Sequence, residues 1–415
     1  MGRQRGLGPE FGKLWAASGI SNFGDGITAV AAPLLAAALT RDPVLVTGLA
    51  AAQRLPWLLF SLISGALADR LDRRRLTAVA GAFRAVLVGS LGVTVLLDRA
   101  SIPLLYAVFF LLGAAETLAD TTTMTVLPAV VPSEHLPRAN ARLSGTVTVA
   151  NVFVGPPLAG FLFAAAAAAP FLLSAGSFAA AAALVLALHG TFRAVHAEGT
   201  RTATIRGDIA EGVRWLRRHR LLRTVALTLG VMNLTNAATV SIMVLVARER
   251  LSLGPAGYGL LLSSEAVGGL AGSVAATHVI AALGVGRALR LGLLVEAATG
   301  VVIALTRDPL VVGATLALFG FNAVVWNVVT VSLRQELIPA RLMGRVTSAY
   351  AMLATGSAAL GAPLGGLLAK GFGLAAPFWF ASCSIAIVAP LAWSVLGDAT
   401  TAGAQGKARA PTRAS

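Results

Sequence analysis

Ionisable side chains within long apolar runs are the groups through which this sequence could do chemistry. A charged residue at the centre of a bilayer costs at least about 2.5–3.5 kcal/mol on insertion scales, so each must face protein or a watery cavity. Asp25 stands near the middle of the first apolar run, in the setting Ser21-Asn22-Phe23-Gly24-Asp25-Gly26. The flanking glycines permit close backbone approach. Two readings stay open: a carboxylate that exchanges a proton for substrate, or a structural carboxylate paired with an arginine. Arg54, followed by Pro56 and Trp57, lies at similar depth in the second run. Its simplest partners are Asp25 and Glu116, because an unpaired arginine there is costly. Glu116 and Asp120 are spaced four residues apart and share one helix face; Glu116 is the second proton-coupling candidate. Glu265 is expected to reach a cavity from the C-terminal half. The neutral candidates for a substrate cavity are Asn22, Asn151, Asn233, Asn236 and Asn322, with Gln53 and Asn327 beside them. The aromatic ones are Trp57 and Trp326, with Phe23 and Phe321. Such residues more often hold helices together than touch a ligand.

Other chemistries lack their residues. There is no Gly-x4-Gly-Lys-Ser/Thr, so the sequence carries no phosphate loop and no ATP-driven engine. The lone Cys383 lies in an apolar run, and the five histidines are scattered without ligand spacing. No Ser-His-Asp or Cys-His constellation stands out. The expectation is no enzyme, no metal and no cofactor, with energy drawn from an ion gradient, the proton gradient first.

These residues must be positioned by membrane helices. The 415 residues are 56% hydrophobic and 12% charged, about half the charge of a soluble domain. Run lengths and flanking charges predict an all-α membrane protein of twelve spans, near 15–39, 44–68, 76–97, 102–127, 142–165, 169–190, 223–247, 256–279, 288–306, 309–334, 343–369 and 373–397. With the N-terminus placed inside, 25 Lys and Arg fall on cytoplasmic segments and 6 on the other side, which predicts both termini cytoplasmic. The net charge of +15 is thus a loop property that meets anionic lipid, and nucleic acid is excluded as a partner. No cleavable signal peptide is expected. Residues 205–220 space Ile205, Ile209, Val213 and Leu216 as an apolar stripe among arginines, predicting an interfacial helix in a linker spanning 191–222. The expected division is a six-helix bundle over 1–190, this linker, a second six-helix bundle over 223–397, and a disordered tail over 398–415.

Between the second and third spans stands Gly65-Ala66-Leu67-Ala68-Asp69-Arg70-Leu71-Asp72-Arg73-Arg74-Arg75. It resembles the loop 2–3 signature of the major facilitator superfamily at Gly65, Leu67, Asp69, Arg70, Arg73 and Arg74. Asp72 departs from the general pattern, which has Gly, and no physical reason for it is visible in the sequence. The Asp-Arg-x-Asp-Arg variant is similar to the branch of enterobactin exporters and macrolide efflux proteins. An internal repeat agrees with two bundles: Gly155-Pro156-Pro157-Leu158-Ala159-Gly160 matches Gly361-Ala362-Pro363-Leu364-Gly365-Gly366 half a chain later.

The resemblance implies the major facilitator fold of two six-helix bundles, with spans 1, 4, 7 and 10 lining the cavity. It makes Arg84 in span three and Glu296 in span nine peripheral. It assigns Gly65, Asp69, Arg70 and Arg73 to a gate, with Asp120 as the partner of Arg73 and Asp69 against the start of span eleven. Gly155, Pro156 and Gly160 resemble a span-five signature linked to antiporters, without its upstream glycines. The implied function is secondary active, proton-coupled export of a drug-like, amphiphilic, siderophore-type or other secondary-metabolite small molecule. Import or uniport of a small metabolite is the alternative, and a non-transporting sensor or assembly factor is the alternative of another class. The expected setting is the cell membrane, as a monomer whose partners are its substrate and lipid.

Overall fold

The computed structural model describes residues 7–189 and 205–408, and within them leaves some side chains undescribed, including those of residues 68–70, 120, 205–210 and 398–408. The described residues are helical, with no strand among them. In order the helices are α1 (Pro9–Leu39), α2 (Pro43–Arg70), α3 (Arg73–Leu96), α4 (Ile102–Val130), α5 (Leu136–Val147), α6 (Gly155–Ala165), α7 (Ala169–Leu186), α8 (Ile205–Arg218), α9 (Arg220–Val240), the single turn α10 (Met243–Leu245), α11 (Pro255–Leu283), α12 (Val285–Leu305), α13 (Pro309–Leu337), α14 (Met343–Phe372) and α15 (Ala376–Ala408). Eleven stretches are long and apolar enough to cross a membrane. Where the second span was expected, α2 runs unbroken for 28 residues.

Local chemistry sets the helix ends. Thr-Arg-Asp-Pro occurs twice, at 40–43 and 306–309, and caps α2 and α13 in the same way. Asp42 accepts from the Val44 amide at 2.9 Å and Asp308 from the Leu310 amide at 2.8 Å. Each following proline takes the first helical position, where its missing N–H costs nothing. Asp72 finds its reason here. It is the N-cap of α3, its carboxylate accepting from the Arg75 amide at 3.1 Å. A glycine at 72 could not supply that acceptor. Gly284 (φ +76°) and Gly373 (φ +88°) end α11 and α14 in the left-handed region that favours glycine.

The expected fifth span is a composite. Pro156 and Pro157 offer no amide to the carbonyls four residues back. The ladder therefore slips by one residue over Thr148–Val154, a π-helical segment, and the Gly155 amide bonds to the Ala150 carbonyl. At the C-terminal end α15 continues to Ala408, into the tail over 398–415 that was expected to be disordered; residues 409–415 lie outside the described residues. The linker helix forms as α8, but it is not merely a lipid-facing stripe. Gly212 abuts the Arg345 backbone, Leu216 is buried, and Glu211 pairs with Arg345 at the start of α14.

The chain divides into two compact units, residues 1–198 with 247–263, and residues 199–246 with 264–415. The linker helix thus belongs to the second unit. The segment 247–263 joins the first, where Arg248 donates to the Ala37 carbonyl and Gly160 meets the Pro255 backbone. In the first unit one end is tied by cations at the close of α7. Lys13 Nζ donates to the Ala187 carbonyl at 2.9 Å, and Arg74 to the Leu188 carbonyl. Positive charge on unsatisfied C-terminal carbonyls is favourable. The second unit packs a core that includes Leu222, Leu289, Val346, Ile385 and Leu396.

Candidate functional site

In the first unit the sequence itself builds a charged crossing. Gly24 and Gly26 flank Asp25 on α1. A Cβ on Gly24 would come 3.0 Å from the Phe178 ring of α7, and one on Gly26 would come 2.8 Å from the Asn151 Cα of the π segment. Both neighbours therefore sit at backbone distance from α1, and Asn151 contributes packing there. Ser174 Oγ donates to the Gly24 carbonyl at 3.1 Å and fixes α7.

Asp25 pairs with Arg84 of α3. Arg54 was the expected partner; the structure instead turns Arg54 to an exposed position, with no ion pair among the described residues. Arg84 wins because α3 and α1 both pack on α7, which holds the guanidinium in place. Its Cζ lies 4.0 Å from the centroid of the Phe178 ring, and Nη1 donates to Ser21 Oγ at 3.2 Å. Arg84 is 3% exposed. A small cavity of about 70 Å³ adjoins the pair and includes Asn22, whose amide is spent on the Ser18 carbonyl at 2.9 Å.

Glu116 is half-buried on α4 and shows no hydrogen bond or ion pair among the described residues. Trp57 is 44% exposed. The gate residues Gly65, Asp69 and Arg70, and Asp120, lie outside the described side chains, so the expected Arg73–Asp120 contact does too. Gly155 presses on the backbone of Gly26, and Gly160 on that of Pro255. The repeat counterpart Gly361 likewise meets the Leu234 carbonyl of α9. The small residues of the span-five motif are thus seats for close helix crossings.

The second unit holds a cavity of about 260 Å³ between α9, α11, α12 and α13. Asn233, Asn236, Glu265, Glu296, Trp326 and Asn327 contribute to its wall, with Phe319 and Met232 among the apolar surfaces. An adjoining compartment of about 40 Å³ shares Asn236, Glu265 and Glu296, and extends to Phe378 of α15. Several wall residues are also braces. Trp326 Nε1 donates to the Leu289 carbonyl at 3.2 Å, and Asn233 to the Leu229 carbonyl at 2.8 Å. Asn322 is a brace only: it donates to the Gly292 carbonyl at 3.1 Å and lies outside the lining of both compartments. A Cβ at Gly292 would strike Asn322 and Trp326, so that glycine makes the docking possible.

Glu296 corrects its expected place. The resemblance put it on a peripheral helix away from the cavity, and it lines both compartments. It is 8% exposed, and its Oε2 is buried without a hydrogen-bond partner. Glu265 stands in the same two walls, as expected. The signal for Glu296 was present in the sequence, an acid in the middle of an apolar run.

Both cavities lie among helices long and apolar enough to cross a membrane. Residues 8–408 match the MFS_3 family, described as transmembrane secretion effector. The chain belongs to that family of major facilitator transporters, and it is not an enzyme. Two curated relatives, each named "Uncharacterized MFS-type transporter", come from Mycobacterium tuberculosis and Mycobacterium bovis. Each is 32% identical over 148 residues, which is 34% of this chain and 33% of the relative, so the match spans about a third of their length. Among solved structures, a D323A mutant of the nucleoside transporter NupG aligns with a TM-score of 0.74 at 9% identity, covering 93% of this chain and 99% of that one. A bacterial homologue of the iron transporter ferroportin in its inward-facing state aligns at 0.73 and 18% identity, covering 93% and 98%. At those identities the likeness is one of fold.

Proposed function

We propose that the protein is a secondary active exporter, driven by the proton gradient, of drug-like or secondary-metabolite amphiphiles, siderophore-type molecules among them. It would work by alternating access of twelve membrane helices in two bundles. Asp25, Glu116 and the gate motif around Asp69 and Arg73 keep their proposed parts in coupling and switching. Its setting would be the cell membrane, as a monomer with both termini cytoplasmic, in the enterobactin and macrolide efflux branch.

The observation that carries this reading is the cavity of the second unit. Five apolar or aromatic side chains (Leu229, Met232, Phe319, Ala323 and Trp326) share its wall with three asparagines, Thr330, Arg334 and two carboxyl groups. Such a lining suits a bulky amphiphile better than a sugar or a highly charged anion. The family description, a secretion effector, supports the outward direction. Proton exchange at Asp25 would have to compete with Arg84 for the carboxylate, so the pair must part if Asp25 is the coupling site. A ligand shifts such an equilibrium only through its different affinity for the two states.

The test is uptake of a panel of amphiphiles into inverted membrane vesicles, with and without a protonophore. Protonophore-sensitive accumulation is the expected result. Uptake unaffected by the protonophore overturns proton coupling. Accumulation only in right-side-out vesicles favours import and overturns export. Undiminished pH-driven uptake by Asp25→Asn removes Asp25 as the coupling residue.

A further inference from the structure

We propose that Glu265 and Glu296 form a cation-exchange site in the second unit, holding a proton when empty and the ammonium or phosphonium head of a lipophilic cation when loaded. This deepens the export reading by naming the substrate class, and it rests on that reading only for the transport step.

Three observations converge on the pair. First, the two carboxyl groups come from different helices, α11 and α12, and line the same two compartments. Second, Glu296 is 92% withdrawn from solvent contact as a residue, being 8% exposed, and its Oε2 has no hydrogen-bond partner. A buried carboxyl oxygen without a donor is costly to leave so, and evolution has ready alternatives in Gln or Leu at a packed helix position. Third, no ion pair answers it among the described residues. Arg334 is the basic residue in the wall of the larger compartment. Its guanidinium lies over the Tyr350 ring at 4.9 Å, and its Nε donates to the Thr330 carbonyl at 3.3 Å. No ion pair joins it to either glutamate among the described residues. The other titratable group in that wall is Arg334 of α13; Tyr350 of α14 lies against Arg334, outside both walls, and its hydroxyl donates to the Leu222 carbonyl at 2.5 Å.

The rest of the wall fits the remainder of such a ligand. Phe319 and Trp326 supply aromatic rings to the wall, and aromatic rings attract organic cations as well as apolar groups. Asn236 and Asn327 add amides to the same wall. Charge balances without another ion. One monovalent cation enters, one proton leaves, and the site carries the same net charge before and after. Binding and protonation are then linked, and the linkage is reciprocal.

The experiment uses the full chain in lipid nanodiscs and tetraphenylphosphonium as the probe. Binding by the wild type should release about one proton into unbuffered solution and weaken about tenfold per unit fall in pH, the slope that one exchanged proton requires. Glu296→Gln should abolish both the release and the slope, and Glu265→Gln should reduce both. A readout on the wild type guards against misfolded variants: carbodiimide labelling located by mass spectrometry should modify Glu265 or Glu296, and the probe should block it. Wild-type binding with no proton release, an unchanged slope in Glu296→Gln, labelling that the probe does not block, or no binding at all overturns the site. The export reading fails separately, by absent vesicle transport of every panel member.

Discussion

The two units treat a buried charge in opposite ways. In the first, Arg84 stands eleven residues past Arg73, the first residue of α3; in the second, Glu296 stands eleven residues past Val285, the first residue of α12. Arg84 is closed into an ion pair with Asp25, a ring stack on Phe178 and a hydrogen bond to Ser21. Glu296 faces a cavity with one oxygen unanswered. A satisfied pair at that depth locks three helices together. An unsatisfied acid at that depth waits for something to bind. The difference separates the residues that hold the bundle from those free to work.

The largest expected effect tests the locked side. Arg84→Leu leaves Asp25 in the protein interior with its main partner gone, and breaking a buried pair from one side costs about 3–5 kcal/mol. Thermal unfolding in detergent should shift down strongly, and adding Asp25→Asn to Arg84→Leu should recover much of the loss. A single variant as stable as wild type would mean that the pair holds nothing, and the comparison would collapse.

The second effect has the opposite sign. Glu296→Leu removes a buried acceptor that has no donor, and relief of such a group is worth about 1–3 kcal/mol. The variant should unfold at a higher temperature than wild type while losing pH-dependent cation binding. A loss of stability would mean that Glu296 has a partner holding the helices, and the two units would then be alike.

A smaller effect concerns the cap of α3. Asp72→Ala removes the acceptor for the Arg75 amide and should cost about 1 kcal/mol, whereas Asp72→Asn should cost a few tenths. Equal losses in both would show that the charge, rather than the cap, is what matters at 72.

How far these features could be read in advance follows from their physics. Helices apolar on all sides announce themselves by run length, so an all-helical chain with many membrane spans was legible. The repeat of Gly155 and Gly361 was legible too, since only small residues permit the crossings both make. The identity of Asp25's partner was not. Depth along the membrane pointed to Arg54, and the resemblance put Arg84 on a peripheral helix; the common packing of α1 and α3 on α7 selects Arg84. Glu296 was visible as an acid in an apolar run, yet whether it faced a neighbour or a cavity depends on helix rotation, which an all-round apolar helix does not encode. The π segment was half legible: two prolines forbid an ordinary ladder, but how the chain absorbs them is decided by Gly26 lying opposite.

The smallest effect lies outside the spans, where α8 meets α9. His219 caps α9, its Nδ1 accepting from the Leu222 amide at 3.3 Å, and its ring stacks on Trp215 with centroids 5.3 Å apart. An imidazole that accepts at Nδ1 must be neutral there. Burial pushes its pKa below the ordinary value of 6.5. The folded chain therefore binds this proton less readily than the unfolded chain. That contribution to stability is complete above about pH 6.5 and falls away as the pH drops below it. His219→Asn keeps an acceptor at the cap without a titrating ring. The variant should match wild type near pH 8 and unfold at a slightly higher temperature than wild type near pH 5.5. Parallel curves across that range would show that the cap does not depend on the charge of the ring, and the acids of the second unit would then account for any acid sensitivity of the fold.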